Sequence, residues 1–249
     1  MKMELPPQEL HLWTLAYDTG DEALLQASSR LLQKEELERF KQLKFPKTRA
    51  ERIISQAALR GVLGLYLGCD PAKIRLSRAS KGKPWCEEEA SISFNLSHSD
   101  GMTNIAFARD QEVGVDLERI RAMKDLEALI QKNLKPGEIQ QIGDDVNERE
   151  RNFFRFWTFK ESYLKAVGEG MRLSPGKLEF RIRKDGVELF DAPYPFGEES
   201  PIIKEFLPEE HYTGTVCYQK NVRIVERSIG GEDIRQWAKE AENGDNEDL

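Results

Sequence analysis

Asp116 and Glu118 stand two apart in the run Gly114-Val115-Asp116-Leu117-Glu118. On a strand, residues at i and i+2 project the same way with Cα atoms roughly 6.5 Å apart, so two carboxylates there can close on one cation. Oxygen ligands in that number suit Mg²⁺, which keeps waters and completes its shell from phosphates. Most such pairs are solvated strand surface, but Gly114 on the same face leaves room for a close approach. A second group is Lys160, Glu161 and Lys165, bracketed by Trp157 and Leu164. Glu161 and Lys165 have the i, i+4 spacing of an ordinary helix ion pair. Yet Phe153, Phe154, Phe156, Trp157 and Phe159 make this the most aromatic stretch of the chain, and charges embedded in a buried helix need partners or a purpose. His98 and the loop Lys81-Gly82-Lys83-Pro84 add an imidazole and two amines beside a flexible glycine.

Elements must mount these groups. Thr48 to Leu67 reads as a helix with the apolar stripe Ile54, Ala58, Val62 and Leu65, and with Arg49, Arg52, Gln56 and Arg60 on a polar face. Gly68 and Pro71 supply its stop. From Ser91 the period becomes two: Ile92, Phe94 and Leu96 alternate with Ser93, Asn95 and Ser97, a half-buried strand that ends at His98. Asn104 to Ala108 and Val113 to Glu118 continue as strands. Lys135-Pro136-Gly137-Glu138 starts like a proline-led helix, and Glu148 to Val167 is the aromatic helix. Further strands follow at Leu178 to Ile182, Val187 to Phe190, Tyr212 to Tyr218 and Val222 to Val225. Helices and strands mix without strict βαβ alternation, which favours an α+β fold. Three segments are expected: an N-terminal half over 1–111, a C-terminal half over 112–228 and a frayed or disordered acidic tail over 229–249.

Composition bounds the class. The chain has 249 residues, 39% hydrophobic and 33% charged, enough for a sizeable core. No apolar run approaches 18 residues, so no membrane span is expected, and the opening MKMELPPQELHLW lacks the apolar centre of a secretion signal. Net charge is −7, but residues 231–249 hold seven acids and two bases, most of that excess. Residues 39–60 carry seven bases against one acid, Glu51. A patch of that size fits a small polyphosphate rather than nucleic acid. Three cysteines (Cys69, Cys86, Cys217) without metal-ligand spacing fit a reduced cytoplasm.

Three blocks together, FNLSHS (Phe94–Ser99), GVDLE (Gly114–Glu118) and WTFKESYLKAVGEG (Trp157–Gly170), resemble in order and spacing the signatures of the 4′-phosphopantetheinyl transferases, of the larger, surfactin-synthetase-activating type. The arginine-bearing helix, the GKP loop at Gly82–Pro84 and the GMRLSP stretch at Gly170–Pro175 extend the likeness. The resemblance implies a monomer of two similar α+β halves about a pseudo-twofold axis, with coenzyme A in the cleft. It implies transfer of the phosphopantetheine arm to a serine hydroxyl of an apo acyl or peptidyl carrier protein, with release of adenosine 3′,5′-bisphosphate. Mg²⁺ is expected on Asp116, Glu118 and Glu161. Coenzyme A contacts are expected from Lys83, Ser97, His98 and Lys165, with Arg52 or Arg49 on the 3′-phosphate. Glu161 or a metal-bound water would take the serine proton, and Lys165 would stabilise or protonate the departing phosphate. Cleaving a pyrophosphate link moves negative charge onto the leaving group, which a bridging cation and nearby bases offset. The competing reading is a coenzyme A- or nucleotide-binding module without catalysis; its mark would be a missing metal carboxylate, and none of the three is missing. The Arg119–Lys135 stretch, with Arg121, Lys124 and Lys132, is expected to face the carrier.

Overall fold

Two helices of 22 residues organise the chain: α3 (Pro46–Leu67) and α6 (Val146–Val167). Each starts at a signal legible in the sequence, Pro46 in the first turn of one and the Asp145 carboxylate accepting from the Asn147 and Glu148 backbone in the other. Each stops at a glycine in the left-handed region, Gly68 (φ 70°) and Gly168 (φ 75°). The computed structural model describes residues 2–78, 83–168, 174–193, 196 and 200–247. Lys81, Gly82 and residues 170–173 of the GMRLSP stretch lie outside the described residues.

The same order of elements occurs around both helices. Before α3 come β1 (Glu9–Ala16), α1 (Glu22–Arg30) and α2 (Lys34–Lys41); after it come β2 (Leu76–Arg78), β3 (Pro84–Cys86), β4 (Ile92–Ser99) and β5 (Met102–Arg109). Before α6 come β6 (Val113–Arg119), α4 (Leu126–Asn133) and α5 (Pro136–Ile139); after it come β7 (Glu179–Arg183), β8 (Gly186–Asp191), β9 (Ile202–Phe206) and β10 (Tyr212–Tyr218). The sheets correspond as well, β1-β5-β4 in one half and β6-β10-β9 in the other. This is an α+β fold of two similar halves, each with a long helix and three antiparallel strands whose central strand is the last of the three in the chain.

A buried ion pair repeats with the elements. Arg60 on α3 donates to Glu36 Oε2 (2.8 Å) and to the carbonyls of Pro71 and Ile74 (3.0 and 2.9 Å). Lys160 on α6 donates to Glu138 Oε2 (2.7 Å) and to the carbonyls of Asn133 and Leu178 (2.6 and 2.9 Å). Each glutamate also accepts the backbone N–H at the N-cap of its own short helix, Gln33 or Lys135. Arg60 therefore does not lie on a solvated face as its helical position suggested. A guanidinium can be buried when every neighbour is an acceptor. Lys160, the embedded charge of the aromatic helix, has found its partner in the same way.

Two expectations are corrected at the C-terminus. The 112–228 segment does not stay within one half: β11 (Arg223–Ser228) runs parallel to β1 and extends the first sheet. Nor is the acidic tail frayed over most of its length. Residues Gly231–Glu247 form α7, which seats Ile234, Trp237, Ala238 and Ala241 in the core shared with α1 and α3. The 3.6-residue spacing of those four apolar residues outweighs the charge between them, because the acids occupy the other face. Among the described residues no helix is long and apolar enough to cross a membrane.

Candidate active site

The two halves meet where β4 faces β6, and the resembling blocks converge there. Gly114, Asp116 and Glu118 share one face of β6. The close approach that Gly114 allows is that of α6: a Cβ at this position would stand 2.0 Å from the Ser162 carbonyl oxygen and 2.4 Å from the Ala166 nitrogen. The glycine thus brings the helix backbone down onto the strand. Glu161 and Lys165, which flank that contact, are carried to the strand's carboxylates.

Lys165 pairs with Asp116 rather than with Glu161. Its Nζ donates to Asp116 Oδ1 (2.7 Å), Ser97 Oγ (2.9 Å) and the Val115 carbonyl (3.0 Å), which uses all three ammonium protons. Ser97 in turn donates to Asp116 Oδ1 (2.9 Å). Asp116 is 4% exposed, and its other oxygen, Oδ2, has no partner among the described residues. Glu118 accepts from Ser99 Oγ (3.1 Å), with Arg121 3.6 Å away. Burial raises the Glu118 carboxyl above the usual range, and Asp116 adds to this. The Glu161 carboxyl is pushed up to about 7, first by burial and then by the charge of Asp116, with Lys165 opposing. Two carboxyls held above their usual range beside a buried aspartate with an orphaned oxygen form a site that a divalent cation would relieve. Among the described residues no three such side chains are already gathered at ligating distance. The carboxylates confront one another across the strand–helix contact instead.

The remaining candidate groups, His98 and the arginines of α3, lie on the first half's side. Burial, with Arg52 and Lys165 nearby, pushes His98 down to about 4, so it is a neutral imidazole at pH 7. Its buried Nδ1 has no partner among the described residues. Of the two candidate arginines, Arg49 donates to the Leu43 carbonyl (3.0 Å), while Arg52 lines a cavity of about 240 Å³ with Arg39, Arg78, Phe40 and Leu96. Arg39 and Arg78 were not singled out from the sequence, although Arg39 belongs to the basic run and its position was readable. Lys83 sits at the junction of the halves: it pairs with Glu112 and donates to the carbonyls of Val113 (3.1 Å) and Ala166 (3.5 Å). It therefore holds the start of β6 to the end of α6, rather than reaching into the arginine-lined cavity.

Beyond Glu118 a groove of about 1170 Å³ opens between Ile120–Ala122, the start of α6 and the β9–β10 connection. Ile120, Phe206 and Leu207 are the larger apolar residues of its lining, and Leu207 is 75% exposed. Arg121 and Arg151 flank it, but Glu150, Glu209 and Glu210 do so too. Of the basic stretch expected to face a carrier, Arg121 lines this groove, while Arg119 is tied to Asp100 at the β4–β5 turn.

Comparison with known proteins bears on the same residues. Residues 112–217 match the family model of the 4′-phosphopantetheinyl transferase superfamily, and residues 19–110 match that of the 4′-phosphopantetheinyl transferase N-terminal region. The chain is 35% identical over 173 residues to the 4′-phosphopantetheinyl transferase HetI of Nostoc sp., covering 68% of this chain and 73% of that protein. It is 27% identical to the 4′-phosphopantetheinyl transferase Sfp of Bacillus subtilis, covering 76% and 88%. Holo-ACP-synthase of Plasmodium yoelii superposes on 43% of this chain and 91% of its own with a TM-score of 0.35 at 22% identity. Two adjacent family matches that together span most of the sequence, and that meet in the connection between β5 and β6, establish that this chain belongs to the 4′-phosphopantetheinyl transferase superfamily and is an enzyme of that kind.

Proposed function

We propose that the protein transfers the 4′-phosphopantetheine moiety of coenzyme A to a serine hydroxyl of an apo carrier protein, with Mg²⁺ as cofactor and adenosine 3′,5′-bisphosphate as the second product. The observation that carries this reading is the orphaned, buried Asp116 Oδ2 beside the raised carboxyls of Glu118 and Glu161. These three residues would hold the cation, which would neutralise charge on the pyrophosphate as the P–O bond breaks. Lys165 holds Asp116 in place and would add its own positive charge beside the phosphates. Ser97 locks Asp116 from the other side. Glu161, with the least hydrogen bonding of the three acids, is the candidate to receive the serine proton directly or through a water.

Arg39, Arg52 and Arg78 around one cavity support binding of a phosphate monoester such as the coenzyme A 3′-phosphate. Neutral His98, with Nδ1 free of partners among the described residues, is suited to a hydrogen bond to the same substrate. The groove lined by Ile120, Phe206 and Leu207 is the proposed carrier seat, since its lining begins at Ile120, two residues beyond Glu118. The division of the two halves near residue 111 is supported by the repeated element order on either side of it.

One assay tests the reading. Apo carrier is incubated with the protein, coenzyme A and Mg²⁺, and mass spectrometry follows the phosphopantetheine gain on the carrier. Gain that disappears with chelator and in Glu161→Gln is expected. Coenzyme A binding with no gain on any carrier type would favour a non-catalytic binding module. Leu207→Asp should raise the carrier KM while leaving the coenzyme A KM unchanged.

A further inference from the structure

Among the described residues strand β6 has a ladder on one edge only, to β10. Its other edge faces β4 across the junction of the halves, and there side chains take the place of backbone pairing. Asn95, Ser97 and Ser99 project from the same side of β4 at intervals of two. Asn95 Oδ1 accepts from the Val115 N–H (2.9 Å), and Ser99 Oγ accepts from the Arg119 N–H (3.1 Å). Between these two rungs stand Asp116 and Glu118, each accepting from one of the serines: Ser97 Oγ on Asp116 Oδ1 (2.9 Å) and Ser99 Oγ on Glu118 Oε2 (3.1 Å).

The Ser99 hydroxyl has one proton. Because it accepts from the Arg119 backbone, that proton is directed to Glu118, and the rotor is fixed from both sides. Asp116 has Lys165 as a second anchor. Among the described residues Glu118 has, besides Ser99, only the more distant Arg121 guanidinium, at 3.6 Å and on a half-exposed side chain. Ser99 is thus the close contact that sets the Glu118 carboxylate.

We propose that Ser99 is a positioning residue: its hydroxyl, registered by the Arg119 N–H, holds Glu118 by Oε2 and leaves the other oxygen for the divalent cation, while Asn95 fixes the same strand upstream. This rests on the reading of Asp116, Glu118 and Glu161 as the cation's ligands. Hydrogen-bond partners behind metal-ligating carboxylates typically change metal affinity by about 10- to 100-fold when removed.

The test is Mn²⁺ binding to the full-length protein with coenzyme A present and no carrier, read as free Mn²⁺ by electron paramagnetic resonance. Ser99→Ala should weaken binding by about tenfold, at the lower end of that range. Ser99→Thr keeps the hydroxyl on a strand-compatible side chain and should stay within about threefold of the parent. In the Glu118→Ala background, adding Ser99→Ala should change affinity by less than about twofold, since the contact it removes is already gone. In turnover assays Ser99→Ala should raise the metal concentration needed for half-maximal rate and leave the rate at saturating metal nearly intact. Parent-like Mn²⁺ affinity in Ser99→Ala, alongside clear loss in Glu118→Ala, overturns the role of Ser99 and leaves the metal site standing. An equal loss from Ser99→Ala with and without Glu118 overturns it too, because the serine then acts elsewhere. Parent-like affinity in Glu118→Ala removes the ligand assignment itself, and the proposal with it.

Discussion

Replacing Gly114 by alanine isolates the contact on which the site depends. The new Cβ would stand 2.0 Å from the Ser162 carbonyl oxygen and 2.4 Å from the Ala166 nitrogen. Both are backbone atoms of a buried helix turn, so no side-chain rotamer relieves the clash. The closer contact falls about 1.4 Å short of ordinary van der Waals separation. Either α6 lifts from β6 or the strand bends away, and both movements separate Glu161 and Lys165 from Asp116. Overpacking of this kind costs about 1–3 kcal/mol, and a clash between two backbones belongs at the upper end. For a chain of this size about 3 kcal/mol lowers the melting temperature by roughly 6–12 °C. A displacement near 1 Å among groups that act on one substrate can cost about 100-fold in rate. The assay is paired: thermal melting by circular dichroism, and phosphopantetheine transfer at a temperature where the variant is still folded. Gly114→Ala with parent-like melting and parent-like turnover would refute the argument that helix–strand approach sets the site. Gly114→Ser should behave like the alanine variant, since the obstruction is the Cβ itself.

Three other outcomes follow from the same geometry. In the metal-free protein Glu161 titrates near 7 instead of its usual 4.5, so between those values the folded state holds a proton that the unfolded chain has released. Stability should therefore fall as pH rises through that window; melting at pH 5.5 and pH 8 checks it, and Glu161→Gln should flatten the difference. Glu138→Gln strands the fully buried Lys160 ammonium and should destabilise by about 3–5 kcal/mol in urea titration, whereas adding Lys160→Met should recover much of the loss. Trp237→Ala empties the space where the indole lies against Gly61, 2.0 Å from where a Cβ would be. It should lose about 3–5 kcal/mol, and a variant that melts like the parent would show that α7 does not brace α3.

Some of this organisation was written in local pattern. The α3 and α6 helices are bounded by proline, aspartate and glycine signals that act within a few residues, so their limits were readable to within two positions. The alternation along β4 and β6 likewise placed Ser97, Asp116 and Glu118 on definite faces. Arg60 was misread because helical periodicity states which side a residue faces and not what waits there; Glu36, 24 positions earlier, made that side dry and acceptor-rich. The tail was misread because its apolar residues are few and its acids many, and only the exposed flank of α1 and α3 gives them something to cover.

Residue type and spacing alone established the family blocks, the acids and bases of the site, and the two long helices, because caps, periodicity and motif spacing are short-range properties of the chain. Tertiary structure alone decided that Lys165 serves Asp116 and not Glu161, that Arg52 and not Arg49 joins the arginine-lined cavity, and that Lys83 staples β6 to α6. Each of those choices joins residues many positions apart, and which acceptor a long cationic side chain reaches depends on the packing of β4, β6 and α6 against one another.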